Sequence, residues 1–238
     1  MNVIVVIPTY NERENLVELC DRIFALAIDG LRVLIVDDNS PDGTAQLAMS
    51  MGRGGSYNGK IDVLQRPGKL GLGTAYVEGF QYALNEGADM IVQMDADLSH
   101  PPEYISGLLT VLEDCDVAIG SRYTKGGTVD PSWGLRRKIL SRAGNTYARW
   151  VTGLTIKDAT GGFRCFTRYA LEAIDPQGIR SEGFAFQLEM AYRSHRNGLR
   201  IAELPIHFPN RILGGSKMSW RIILEAFVQV LHMKFRKY

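Results

Sequence analysis

The sequence predicts an α/β protein with a mostly parallel central sheet flanked by helices, followed by a C-terminal amphipathic helix. Three observations predict it. Short apolar, β-branched runs alternate with amphipathic helical patterns, and three such alternations precede residue 95, as in right-handed strand-helix-strand units. The runs at Val3 to Ile7, Leu31 to Val36 and Met90 to Met94 are nearly continuous in apolar residues, which is the mark of strands covered on both faces. Several of the runs end in polar, turn-rich loops, which can meet on one edge of the sheet.

Val3 to Ile7 leads through Pro8-Thr9-Tyr10-Asn11-Glu12 into a helix with Leu16, Leu19, Cys20, Ile23 and Phe24 on one face. The second strand, Leu31 to Val36, ends at Asp37-Asp38-Asn39-Ser40-Pro41-Asp42-Gly43, an acidic turn-rich loop before a helix from Thr44 to Met51. Ile61 to Leu64 reads as the third strand, and Gly71-Leu72-Gly73 opens a helix carrying Tyr76, Val77, Phe80 and Leu84. The fourth strand ends in two carboxylates one residue apart, Asp95 and Asp97, and Pro101 and Pro102 then stop the strand and open a helix. Two hard oxygen ligands at a strand's carboxyl edge suit a divalent cation bridging phosphate oxygens, because Mg²⁺ is typically held by one or two carboxylates plus substrate phosphates. Short Asp-x-Asp pairs also occur in ordinary turns, so the neighbourhood decides between the two readings.

Beyond the acidic pair, Pro102 to Leu112 is expected as a helix and Val117 to Ile119 as a strand ending in Gly120-Ser121-Arg122-Tyr123. Thr124 to Trp133, rich in Gly and Thr, is expected as a mobile loop that closes over substrate. Leu135 to Val151 reads as a helix carrying Arg136, Arg137, Lys138, Arg142 and Arg149; such a face is either solvated or holds an anionic partner near the metal. Asp158 to Phe166 is expected as a loop entering a strand, Phe184 to Arg196 as a helix and Leu199 to Ile206 as a strand. Arg211 and Lys217 bracket a glycine-containing loop, one base at each end, which suits a diphosphate. From Met218 to Tyr238, Trp220, Ile223, Leu224, Phe227, Leu231 and Phe235 recur at helical spacing. That helix either docks on the core or lies at a membrane interface with its basic end towards anionic headgroups. The expected organisation is a catalytic domain over residues 1–217 and an appended helix over residues 218–238, with no internal repeat and no interdomain linker.

Composition narrows the function classes. With 27 basic and 26 acidic residues the net charge is +1, which supplies no bulk drive towards nucleic acid. Three cysteines, widely spaced and without a Cys-x-x-Cys pair, are expected as free thiols of a cytosolic protein. The N-terminus has no basic region and its apolar run is too short for an export signal, so export is not expected, and no stretch approaches the roughly 18 apolar residues that cross a bilayer. Gly71-x-Gly73 lacks the third glycine of the dinucleotide fingerprint and follows no strand. Gly54 to Lys60 matches most of a P-loop, but Ile61 stands where Ser or Thr is required and a strand follows, so it reads as a connector.

Pro8-Thr9-Tyr10-Asn11-Glu12, Val36-Asp37-Asp38-Asn39-Ser40, Lys69-x-Gly71-Leu72-Gly73, Asp95-Ala96-Asp97 and Gly120-Ser121-Arg122-Tyr123 occur in the order found in family 2 inverting glycosyltransferases of the GT-A fold. Within that family the chain resembles the polyprenol-phosphate (dolichol-phosphate) mannosyltransferases in their single-domain form without transmembrane segments. The more discriminating pieces are Met94 to Pro101, Gly161-Gly162-Phe163-Arg164, Gly183 to Gln187, and Arg211 with Ser216 to Ser219. Together these cover nearly the whole chain.

The resemblance implies a donor site formed by Pro8, Tyr10, Glu12, Val36, Asp38, Lys69, Asp95, Ala96, Asp97, Arg122, Arg211 and Lys217. Asp95 and Asp97 would hold Mg²⁺ or Mn²⁺ on the diphosphate, with Ser99 as a candidate further ligand. Arg122, Arg137 and Ser141 resemble the group that receives the acceptor phosphate, with Arg136 as the alternative to Arg137; Asp97 and these three are the expected catalytic set. The implied reaction moves mannose from GDP-mannose to a polyprenyl phosphate at the cytoplasmic face of a membrane, through peripheral contact or a membrane-anchoring partner protein. Two alternatives stand beside it: the same chemistry with UDP-glucose, and a non-catalytic nucleotide-sugar-binding subunit.

Overall fold

The computed structural model describes residues 1–54, 57–179, 181–210 and 230. In chain order its elements begin with β1 (Val3–Thr9), α1 (Arg13–Phe24), β2 (Leu31–Asp37), α2 (Thr44–Gly52), β3 (Ile61–Gln65), α3 (Leu72–Asn85) and β4 (Met90–Gln93). A 3₁₀ turn at Pro102–Tyr104 leads into α4 (Ile105–Leu112), then β5 (Val117–Ser121), β6 (Thr128–Val129) and α5 (Leu135–Thr152). The chain continues with β7 (Arg164–Thr167), α6 (Arg168–Ile174), α7 (Gly183–Arg196), β8 (Ile201–Pro205) and β9 (His207–Phe208).

Seven strands form one sheet in the order β3-β2-β1-β4-β7-β5-β8. All neighbours are parallel except β7, which runs antiparallel between β4 and β5 and faces Gln93 and Ile119 with the same residue, Arg164. The near-continuous apolar runs follow from burial on both faces. Along β1, Ile4 and Val6 face the layer that contains Tyr76, Phe80, Phe186 and Leu171, whereas Val3, Val5 and Ile7 face Leu16, Leu19, Ile23, Ile105 and Leu108. Helices α3, α6 and α7 therefore cover one face, and α1 and α4 the other. Gly79 allows α3 this close approach, since a Cβ there would lie 2.3 Å from Val6 Cγ1.

The expected loop between residues 124 and 133 is more ordered than its composition suggests. Thr128–Val129 pairs with His207–Phe208 as a two-stranded parallel sheet, Asp130 N donates to Phe208 O, and Trp133 is buried edge-on against Phe208. Two-residue strands are too short to show a period of two in sequence. Helix α6 was likewise not legible; it starts where Thr167 Oγ1 accepts from Ala170 N, an N-cap bond of 3.0 Å. Arg211, Lys217 and the expected helix over 218–238 lie outside the described residues, apart from Val230, which is helical and buried in the core layer that includes Ala148 and Val151 of α5.

Candidate active site

Because β1, β2, β3, β4, β5 and β8 are parallel, their carboxyl ends share one edge, and the loops there are bonded to one another. Asn11 N donates to Ser40 Oγ and Glu12 N to Thr44 Oγ1, tying the β1 loop to the β2 loop. Glu12 precedes α1 and its Oε2 accepts from Asn15 Nδ2 at 2.8 Å. Pro8 and Val36 are register partners at this edge. The fully buried Asp37 is committed to structure, accepting from Thr9 Oγ1, Ser40 N and Ser40 Oγ.

Asp38 has a protein role that the sequence did not reveal. Its Oδ1 accepts from Arg66 Nη1 at 2.5 Å and its Oδ2 from Leu70 N at 3.1 Å. The Arg66 fork also donates to Glu78 Oε1, Thr74 Oγ1 and Gly71 O, so one buried guanidinium organises the segment from the end of β3 to the start of α3. Its only sequence signal was a charged residue immediately after a strand, on the edge where loops meet. The same segment places Lys69 Nζ 3.9 Å above the centre of the exposed Tyr10 ring, a cation-π contact at the mouth of the edge.

Asp95 and Asp97 follow β4 directly. Tyr76 OH donates to Asp95 Oδ1 at 2.8 Å, and Asp95 N donates to His100 Nδ1 at 2.9 Å, which places that imidazole's proton on Nε2. Burial, and after it the charge of Asp95, push the Tyr76 phenol well above its ordinary pKa, so it remains a donor. Asp97, only 8% exposed, accepts from both Ser99 N (3.1 Å) and Ser99 Oγ (2.5 Å) through the same oxygen, Oδ1. The Ser99 proton thus goes to Asp97, which makes Ser99 a residue that orients a carboxylate. Ala96 is buried between the two acids. Leu98 adopts φ +60°, a left-handed conformation that costs a bulky residue about 1–2 kcal/mol, and it is this reversal that folds Ser99 back onto Asp97.

The donor set bears on which cation fits. Among the described residues no group of three or more His, Cys, Asp and Glu side chains is placed to hold a metal ion. Two carboxylates at a strand end are too few for a closed protein cage, and they match a hard cation whose remaining ligands are phosphate oxygens and water.

The residues expected to receive the acceptor phosphate lie just after β5 and on α5. Arg122 Nε and Nη2 form a bidentate pair with Asp158 at 2.8 and 2.7 Å, and Arg122 N donates to the same carboxylate. Burial alone would raise the Asp158 pKa; the charge and hydrogen bonds of Arg122 outweigh it and hold the carboxylate below its ordinary value. Behind the pair stands Arg164, fully buried, whose pKa burial lowers to about 10 despite the attraction of Asp158. Asn145 of α5 clamps the loop that carries Asp158, accepting from Ala159 N and donating to Lys157 O. Two guanidiniums therefore face one carboxylate, and the cluster keeps a net positive charge. Most of the Arg122 fork is occupied by Asp158 and Thr160, leaving Nη1 as the donor outside the pair.

Ser141 Oγ lies 2.6 Å from Tyr123 OH, and Arg122 Cζ is 5.2 Å from the Tyr123 ring. Arg137 stacks its guanidinium 3.6 Å above Trp133 and donates to Asn210 Oδ1, whereas Arg136 is exposed on α5. Phe208, which no sequence pattern singled out, touches His100, Trp133 and Arg122 and so joins the acidic loop to the basic cluster.

Residues 4–175 match the family described as Glycosyl transferase family 2. The chain is 44% identical over 234 residues to the polyprenol monophosphomannose synthase of Mycolicibacterium smegmatis, covering 98% of this chain and 87% of that protein. It is 44% identical over 230 residues to the undecaprenyl-phosphate mannosyltransferase of Micrococcus luteus, covering 97% and 93% of the two chains. Among solved structures it resembles glucosyl-3-phosphoglycerate synthase from Mycobacterium tuberculosis in complex with UDP, with TM-score 0.68 and 18% identity over 100% of this chain and 81% of the other. The complex of that enzyme with Mn²⁺, UDP and glucosyl-3-phosphoglycerate gives TM-score 0.66 and 18% identity, over 98% and 78% of the chains. These structural likenesses support the GT-A fold. On the family match and the identity of its near-full-length relatives, the chain belongs to glycosyl transferase family 2.

Proposed function

We propose that the protein transfers mannose from GDP-mannose to a polyprenyl or dolichyl phosphate with inversion at the sugar carbon, giving polyprenyl phosphomannose, a lipid-linked mannose donor for glycan synthesis. The observation that carries this reading is 44% identity, over nearly the whole chain, to two enzymes named for mannosylation of polyprenyl phosphates. The paired acids at the β4 edge and the basic cluster opposite them support it.

On the donor side, Pro8, Val36 and Tyr10 border the space for the nucleoside, with Glu12 and Asp38 bracing the loops that shape it. Asp95 and Asp97 would hold Mg²⁺ or Mn²⁺, which when bound neutralises charge on the departing diphosphate. Lys69 adds a cation at the mouth of the same edge. On the acceptor side, a phosphate monoester has its second pKa near about 6 and is largely dianionic at neutral pH. It needs no general base, only a path to an anionic donor. Arg137 and the Ser141–Tyr123 hydroxyl pair would receive it, while Arg122, oriented in advance by Asp158, presents its remaining N–H groups to the same anion.

The lipid tail of such an acceptor requires contact with a bilayer, yet no helix among the described residues is long and apolar enough to cross one. Helix α5 suits peripheral contact. Leu135, Ile139 and Trp150, which are 72%, 59% and 81% exposed, lie on one face of it. The helix carries Arg136, Arg137, Lys138, Arg142 and Arg149 and no acidic residue, although the chain as a whole has a net charge of only +1. An exposed apolar stripe with basic flanks is complementary to an anionic lipid surface.

Transfer of labelled mannose from GDP-mannose to a short polyprenyl phosphate tests the reading. Turnover is expected with Mg²⁺ or Mn²⁺, lost with EDTA and lost in a folded Asp97→Ala variant. Preference for UDP-glucose would reassign the sugar, and turnover untouched by EDTA would remove the metal.

A further inference from the structure

Asp95 is held from outside its own motif by a side chain that the reaction does not otherwise use. We propose that Tyr76 is a positioning residue for the metal-binding carboxylate: its hydroxyl fixes Asp95 Oδ1 and so turns Oδ2 towards the cation and the donor diphosphate. This rests on the metal role assigned to Asp95 above.

The geometry is built for one orientation. Tyr76 is fully buried in α3, and its ring packs nearly parallel to those of Phe80 (centroids 5.8 Å apart, planes at 22°) and Phe186 (5.9 Å, 8°). With the ring enclosed, the phenol oxygen is held 2.8 Å from Asp95 Oδ1, to which it donates, with the Gln93 side chain as its second partner. The Asp95 main chain is fixed independently by His100 Nδ1, so backbone and carboxylate are each anchored once. Asp95 Oδ2 has no hydrogen-bond partner among the described residues, and the residue is half-buried, with access to the edge. Asp97 is oriented in the same manner through its Oδ1, but by Ser99, its own neighbour. The two acids thus have unequal supports: one is local to the loop, and the other reaches across from the aromatic layer shared by α3 and α7. Outer partners of this kind typically set metal affinity by 10–100-fold.

Tyr76→Phe removes only the hydroxyl and keeps the ring stack. Its melting temperature is expected to stay within about 4 °C of the parent. Mn²⁺ affinity in the presence of GDP, measured by the loss of the free-ion EPR signal, is expected to fall about 10-fold or more. GDP affinity measured in EDTA should be unchanged, and in transfer assays the Mn²⁺ concentration for half-maximal rate should rise more than the saturated rate falls. Mn²⁺ affinity within twofold of the parent would overturn the positioning role while leaving the metal site of the parent standing. Equal weakening of GDP in EDTA would also overturn it, showing that the hydroxyl supports the whole pocket. A parent protein that binds no Mn²⁺ with GDP would overturn this inference and the metal reading together.

Discussion

Arg122 and Asp158 carry most of the residue-scale lesson. Both are buried, bidentate and bonded through backbone as well as side chain, so removing either partner leaves an uncompensated charge away from water. Arg122→Ala or Asp158→Ala is therefore expected to destabilise the fold by roughly 3–5 kcal/mol in denaturant unfolding. Asp158→Asn should remove a pH-dependent part of the stability. The folded-state pKa of Asp158 lies below its unfolded value, so its contribution is fully present above the unfolded pKa, near about 3.9, and is lost as pH falls through the lower folded value. Acid unfolding of the parent and of the Asn variant should converge below that range and diverge above it. Sequence alone marked Arg122 as chemistry because its motif lies at a strand end; it gave no hint of Asp158, which stands 36 positions away and meets Arg122 only after β7 turns back between β4 and β5. Arg66 and Tyr76 were hidden for the same reason: Arg66 meets Asp38 only through the pairing of β3 with β2, and Tyr76 meets Asp95 only through the packing of α3 on the sheet.

At the scale of elements, two helices make opposite demands. Helix α3 must lie close to β1, and Gly79→Val would drive a branched side chain into Val6 and Val36, costing about 1–3 kcal/mol by overpacking, readable as a lower urea midpoint. Helix α5 is instead held at its inner face by Asn145 and Ala148 and leaves its apolar stripe outward. Replacing Leu135, Ile139 and Trp150 together by serine should leave the melting temperature nearly unchanged, because none is buried, and should reduce co-sedimentation with anionic vesicles severalfold. Unaltered vesicle binding would move the lipid contact elsewhere. The strands and long helices were legible because burial on both faces of a parallel sheet leaves unbroken apolar runs and helical periodicity is sustained. Strands β6 and β9 were not, because pairs of two residues exist only where Trp133 and Phe208 pack.

For the molecule as a whole, the carboxyl edge of the sheet gathers loops from distant parts of the chain and holds them with side-chain bonds rather than with regular structure. Ligands that bind this edge should stabilise the protein by mass action. At about 100 times its dissociation constant, each of GDP and Mn²⁺ is expected to add about 2.7 kcal/mol, or roughly 5–10 °C in melting temperature, and EDTA should reverse the metal's share. The amino-acid order by itself determined the alternation of strands and helices, the parallel core and the placement of Asp95 and Asp97 at a strand end, because each of these is written in local periodicity and local turn chemistry. The support of Asp97 by Ser99 is local, but which group supports Asp95 and which balances the guanidiniums was decided by tertiary structure. Bonds such as Tyr76 to Asp95 and Arg122 to Asp158 join residues 19 and 36 positions apart, and only the crossing of elements brings them within hydrogen-bond reach.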